Sequence, residues 1–318
     1  MTAKNRNRIF EYSVSAILAG LTAGIMISPS SATLRSASEF SVHIMLGMLA
    51  VAITAMLMDK RKIMFAGLAC SAALALWLKN ASNDNLKLPI LNEEVKLKIA
   101  HVNLSNIDDR LIETLHILDK EQVDVVSFQE LTPDWTNVLA DELASGFPHK
   151  FTNVRIDPYG MAIYSKYPFS EADTILSGGI PSLSVDVSFG GEVFHIISTY
   201  LTPALDNKSL QQAAAQLKRV SAQVNKVNEN VVALGEYNMV YWTQEIRNFR
   251  SSTNLKNSRR DIAQGNLRVP YDHIFFSSDL ECIEFKELIG DQQKYLGILG
   301  TYQVKSRVPV DGELSLRY

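Results

Sequence analysis

Three apolar runs within the first 79 residues constrain this chain more than any other feature. Residues 12–28, 40–58 and 63–78 contain no Asp, Glu, Lys or Arg. A membrane-spanning helix needs about 20 apolar residues, with a working range of about 17–25. The first two runs reach that length. The third is slightly short, but Lys62 and Lys79 flank it and can snorkel to the two interfaces. A single cleaved leader would explain only the first run. Nothing else in 1–79 could cover three such helices in water. The expectation is therefore an anchor of three transmembrane helices over residues 1–79.

Charge sets the expected orientation. Lys4, Arg6 and Arg8 precede the first run, and Lys60, Arg61 and Lys62 fill the turn between the second and third. The remaining loop, 29–39, carries only Arg35 among basic residues. Positive residues stay inside, so the N-terminus and the 59–62 turn are expected in the cytoplasm. Residues 80–318 then lie outside the cytoplasmic (inner) membrane, in a periplasmic or extracellular compartment. Membrane lipids are the expected partners of the anchor. From residue 80 onward the chain has a net charge of −8, which argues against a nucleic-acid partner, because phosphates need a basic face. No protein partner is indicated. Cys70 lies in an apolar run and Cys282 far beyond it, so no intramolecular disulfide is expected.

Residues 80–94 are polar and contain a proline, a linker signature. Strand and helix patterns then alternate over 95–318. Period-2 apolar positions mark a strand at 95–104, and Leu111, Ile112, Leu115 and Leu118 share one face of a helix over 107–119. Short apolar runs at 123–128, 160–165, 231–235 and 273–277 read as strands, as does 308–316. Thr132-Pro133 opens a helix, and 208–228 reads as a long one. Gly190-Gly191 between 183–189 and 192–199 is a hairpin signal. Together these predict an α+β fold: a two-sheet β-sandwich flanked by helices, following the anchor.

Several short motifs occur in order along that region: Val102-Asn103-Leu104, Phe128-Gln129-Glu130, Tyr164-Ser165-Lys166-Tyr167-Pro168, Gly235-Glu236-Tyr237-Asn238, Tyr271-Asp272-His273-Ile274 and Lys305-Ser306-Arg307-Val308-Pro309-Val310. In this order the chain resembles the endonuclease/exonuclease/phosphatase superfamily, including bacterial members with three spans before an exported domain. The resemblance implies metal-dependent phosphoester hydrolysis with Mg²⁺ or Mn²⁺. It implies that Asn103 and Glu130 belong to the metal site, that Asn238 orients phosphate or water, and that Asp272 holds a catalytic histidine.

The departures from that pattern are chemical. Glu236 stands where the family has Asp. Tyr200 stands where it has His. The terminal Ser-Asp-His is replaced by Lys305-Ser306-Arg307, although a shift of that loop would bring Asp291 or Asp311 there instead. Glutamate keeps the charge but moves it by about 1 Å, a displacement that can cost about 10²-fold in rate. Arg307 cannot transfer a proton near neutral pH, though it can bind phosphate and pair with Asp272. Tyr200 can donate a hydrogen bond. His273 should face away from Asp272's side of its strand, His195 is too far along its strand, and His101, His116 and His149 read as packed or surface residues.

Three functional expectations follow. The first is a degenerate member with lost or strongly reduced phosphoesterase activity and a residual phosphate-binding pocket. The second is an active metal-dependent phosphoesterase, with Glu236 as base and Arg307 as charge stabiliser, acting on a lipid-linked phosphate or pyrophosphate. The third is a tethered interaction protein. In the first two, a phosphate-bearing lipid suits an acidic domain held at a membrane.

Overall fold

The computed structural model describes residues 3–27, 32–82, 96–107, 110–227, 229–259 and 267–305. Four helices come first: α1 (Ala3–Ile27), α2 (Ala32–Glu39), α3 (Ser41–Leu57) and α4 (Arg61–Ala81). α3 and α4 approach closely at Gly67, where a Cβ would lie 2.9 Å from that of Ala52. Small residues permit this close approach of the two backbones.

The expectation of three spans needs correction. Two helices, over Asn5–Ile27 and Arg61–Ala81, are long and apolar enough to cross a membrane. The run read as short gains two residues at its start and three at its end and becomes α4. The 40–58 run loses residues instead, because the chain turns at Phe40 and again at Met58–Lys60, leaving the 17 residues of α3. At 1.5 Å per residue, α3 is about 25 Å long against a hydrocarbon core of about 30 Å. The helices present Phe10, Ile17, Leu57, Phe65 and Leu76 outward, each more than half exposed. α4 runs to Ala81, and the rest of the expected linker at 80–94, from residue 83 on, lies outside the described residues.

The rest of the chain forms two sheets. In order it contains β1 (Lys96–Asn103), α5 (Leu104–Ile107), α6 (Leu111–Lys120), β2 (Val125–Gln129), α7 (Pro133–Leu143), β3 (His149–Asn153), β4 (Met161–Ser165), β5 (Phe169–Ser177), β6 (Ile180–Phe189) and β7 (Glu192–Thr199). There follow α8 (Asn207–Val227), β8 (Val231–Glu236), α9 (Gln244–Thr253), β9 (Lys256–Asn257), β10 (Asp272–Phe276), β11 (Leu280–Ile289) and β12 (Tyr295–Val304). One sheet runs β11-β12-β1-β2-β4-β3 and the other β5-β6-β7-β8-β10-β9. Each holds one parallel pair, β1 with β2 and β7 with β8; the other pairs are antiparallel.

The fold is the α+β sandwich the alternating signals predict. Leu97, Ile99, Ile163, Leu183, Ile196, Leu234, Ile274 and Ile298 fill the space between the sheets. A second core lies between the first sheet and α5–α7. A third joins the second sheet to α8 and α9, and it also takes in Val42, Leu78 and Ala81 from the N-terminal helices. β6 and β7 close at Gly190-Gly191, both with positive φ, the backbone that a two-residue hairpin turn with right-handed strand twist requires. β11 and β12 were not foreseen. The strand read at 308–316 lies outside the described residues.

Candidate active site

Strand direction gathers the motif residues. β1 and β2 run parallel with Asn103 beside Gln129, so their carboxyl ends lie together. β8 and β10 run antiparallel with Glu236 paired to Asp272. Gln129 joins the two sheets: its Nε2 donates to the Thr199 carbonyl (2.8 Å), and its Oε1 accepts from the Glu236 amide (2.9 Å). Gly235 allows this approach. Its φ is +139°, and a Cβ there would sit 2.1 Å from the Thr199 oxygen and 2.4 Å from Gln129 Nε2.

Asn103 is the hub. Its Nδ2 donates to Glu130 Oε1 (2.8 Å) and to Glu236 Oε2 (2.6 Å). Its Oδ1 accepts from the Ser105 amide (3.0 Å) and hydroxyl (2.9 Å). The two donors at the oxygen fix the amide's orientation, so the nitrogen faces the acids. The Tyr200 hydroxyl donates to Glu130 Oε1 (3.2 Å). Burial, and then the Glu130 and Glu236 charges, raise the Tyr200 pKa, so this phenol stays a proton-bearing donor. Burial, followed by the Asp272 charge, pushes Glu236 up to about 7. Asn238 Nδ2 donates to the Leu201 carbonyl (2.8 Å). Glu130 and Asn238 both have left-handed φ, 58° and 48°, backbone that costs about 1–3 kcal/mol and recurs at functional sites.

Asp272 is 2% exposed and sits behind Glu236. Its Oδ1 lies 3.4 Å from His101 Nε2, its Oδ2 3.4 Å from Arg268 Nη2, and the Tyr295 hydroxyl donates to Oδ2. Burial opposes ionisation, but His101, Arg268 and Tyr295 outweigh it and hold the carboxyl well below its usual range. Arg268 stacks 3.3 Å above the Tyr295 ring. The sequence places His101 among packed or surface residues and singles out neither Arg268 nor Tyr295. For His101 a signal existed: two residues before Asn103 on a strand is the same face. Arg268 and Tyr295 had none, because tertiary packing alone brings them in.

Most of the terminal motif lies outside the described residues. β12 runs antiparallel to β1, pairing Ile298 with His101 and Gln303 with Lys96. Lys305 therefore lies at the end of the sandwich opposite Asn103, and Ser306 and Arg307 lie outside the described residues. Among the described residues, the arginine beside Asp272 is Arg268. The segment entering β12 at the Asn103 end is Gly290-Asp291-Gln292-Gln293, one of the alternatives left open by the sequence. His273 does face away: its Nε2 is 2.8 Å from the Met239 carbonyl, and burial depresses it to about 3. His195 pairs with Asp186 (2.6 Å) on the opposite stretch of β7 from Thr199.

Among the described residues no group of three His, Cys, Asp or Glu gathers at metal-ligating separation. A cavity of about 260 Å³ between α6 and α7, lined by Leu118, Leu143, Phe147 and Lys166, lies at the other end of β2 from Glu130. The N-terminal helices, by contrast, reach the site. Trp242 Nε1 donates to the Ser38 carbonyl (2.7 Å), the Tyr271 hydroxyl to Glu39 (2.9 Å), and Arg35 Nη2 to the Asn238 carbonyl (3.5 Å). Arg250 donates to the Ala81 carbonyl (2.8 Å) at the end of α4.

A two-sheet sandwich flanked by helices is the fold that the ordered motifs imply. Residues 101–290 match the pattern of the Endonuclease/Exonuclease/phosphatase family, and the chain belongs to that family. Among solved structures it is similar to an endonuclease/exonuclease/phosphatase from Beutenbergia cavernae (15% identity, 66% of this chain and 72% of that one, TM-score 0.55). It is similar to D. rerio TDP2 complexed with a single-strand DNA product (19%, 66% and 100%, TM-score 0.53). It is also similar to the human Nocturnin catalytic domain with bound sulfate (13%, 68% and 96%, TM-score 0.54). At these identities the likeness concerns the fold. No curated protein sequence matches the chain significantly.

Proposed function

We propose that this is a membrane-anchored, extracytoplasmic family member that binds a phosphate ester through a divalent cation and hydrolyses it slowly or not at all. The observation that carries this reading is the convergence of Glu130 and Glu236 on the Asn103 amide. Two carboxylates suit Mg²⁺ or Mn²⁺, which keep several waters and take one or two carboxylates plus substrate phosphate. Glu130 would hold the ion, with Glu236 and Asn103 beside it. The bound ion would neutralise the phosphoryl oxygens. Asn238 and Tyr200 would orient the ester. The weakness in turnover follows from the proton-transfer groups: Tyr200 replaces a histidine, and His101 is fully buried behind Glu236.

Helix directions support the anchoring and its orientation. α2, the start of α3 and the end of α4 all meet the sandwich, whereas the 59–62 turn lies at the other ends of α3 and α4. That arrangement separates the basic N-terminus and turn from the sandwich, as positive-inside charge requires.

The test is titration of Mg²⁺ and Mn²⁺ into the full chain in detergent, with Glu130→Ala as control, followed by turnover of bis(p-nitrophenyl) phosphate. Binding lost in Glu130→Ala, with little or no turnover in the parent, is the expected result. Absence of metal binding in the parent overturns the reading. A specific observation favours an active enzyme as second reading. With Glu236 at about 7, a carboxyl is present in both protonation states at neutral pH, as a general acid–base group should be. Rapid turnover that depends on Glu130 and Glu236 would establish that alternative.

A further inference from the structure

Arg35 is the one basic residue of the segment between the first two apolar runs. It is 2% exposed, on α2, against the Asn238 carbonyl. Its Nη2 also pairs with Glu39 Oε1 (3.2 Å), and Glu39 in turn accepts from Tyr271, the residue preceding Asp272. Its Nε and Nη1 are shielded from water and have no hydrogen-bond partner among the described residues. Those two nitrogens carry three N–H groups. A buried charged donor without an acceptor is costly, because it loses its hydration and gains nothing in return. No neutral packing role calls for a guanidinium here, whereas an anion beside Asn238 would satisfy it.

We propose that Arg35 is the anion-binding cation of the site, so that the membrane anchor completes the pocket. This rests on the phosphate-ester reading above. A phosphate group exchanges for the Glu39 carboxylate on Arg35 while the ester lies against Asn238 and the Glu130–Glu236 pair. A guanidinium fork suits phosphate better than an ammonium does. The sandwich excised at residue 80 lacks this residue altogether. Because α2, which carries Arg35, lies in the chain between the apolar helices α1 and α3, the arginine stands at the membrane face of the site. A phosphate borne by a lipid and a soluble phosphate ester share the chemistry it recognises.

The experiment uses the full chain in detergent with Mg²⁺ present and inorganic phosphate as titrant. Arg35→Gln should weaken phosphate binding about 10–100-fold, the loss expected for charged hydrogen bonds, with Mg²⁺ affinity unchanged. Arg35→Lys should recover part of the loss. Glu39→Gln, which removes the competing carboxylate, should tighten phosphate binding. Parent-like phosphate affinity in a folded Arg35→Gln overturns the proposal while leaving the metal site intact. If Arg35→Gln does not fold, absence of tightening in Glu39→Gln overturns it instead. A parent that binds neither Mg²⁺ nor phosphate overturns this proposal and the functional reading together. Nanodiscs with and without phosphatidic acid separate the sources: lost phosphate binding when that lipid is present assigns the headgroup, and unchanged binding assigns a soluble ester.

Discussion

Replacing Glu236 by Gln should stabilise the protein in a pH-dependent way. Burial and the Asp272 charge push this carboxyl to about 7 from its ordinary 4.5. The folded state therefore holds a proton that the unfolded state has already released between those values. Stability falls as pH rises through that window, because the folded state binds more protons there. At about 1.4 kcal/mol per tenfold change in the protonation equilibrium, the ionised folded state carries a penalty of about 3 kcal/mol above pH 7. Glutamine keeps the shape, can accept from Asn103 through its oxygen, and removes the charge. The Gln variant should gain up to about 3 kcal/mol at pH 8 and almost nothing at pH 4.5. Unfolding followed by tryptophan fluorescence in detergent, without divalent ions, measures this across pH 4–8.5. A gain of equal size at every pH, or a loss at pH 8, would refute the reasoning. Added Mg²⁺ should shrink the gain, since the ion offsets the same charge.

Other changes test the supports of the site. Gly235→Ala should destabilise by about 3–5 kcal/mol, from left-handed backbone strain and a clash that breaks the Gln129 bridge; denaturation with unchanged midpoint would contradict the close approach. Asp272→Asn removes the anion facing His101, Arg268 and Tyr295 and should cost about 3 kcal/mol, the lower end for a broken buried pair because Glu287 remains 3.7 Å from Arg268. Trp242→Phe leaves the Ser38 carbonyl without its donor. It should cost about 1–3 kcal/mol and speed proteolysis within 29–39, where an unchanged cleavage rate would count against docking of α2.

The chain by itself determined the elements whose signals are local. Period-2 alternation placed β1, Gly190-Gly191 placed the β6–β7 hairpin, and Thr132-Pro133 placed the start of α7, because backbone sterics and capping act within a few residues. The ordered motifs likewise pointed to Asn103, Glu130, Tyr200, Glu236, Asn238 and Asp272, which strand direction then brings to one end of the sandwich. Tertiary structure decided what depends on distant packing. Apolar length alone could not show that turns at Phe40 and Met58 would shorten α3. Nor could a short motif near the C-terminus reveal that β12 precedes it, which places Lys305 at the wrong end and gives Asp272 to Arg268, His101 and Tyr295. Arg35 was legible only as a sign in a loop. Its place beside Asn238 exists because Trp242 and Tyr271 hold α2 against the strand ends, contacts that span some 200 positions of sequence and leave no pattern within any local window.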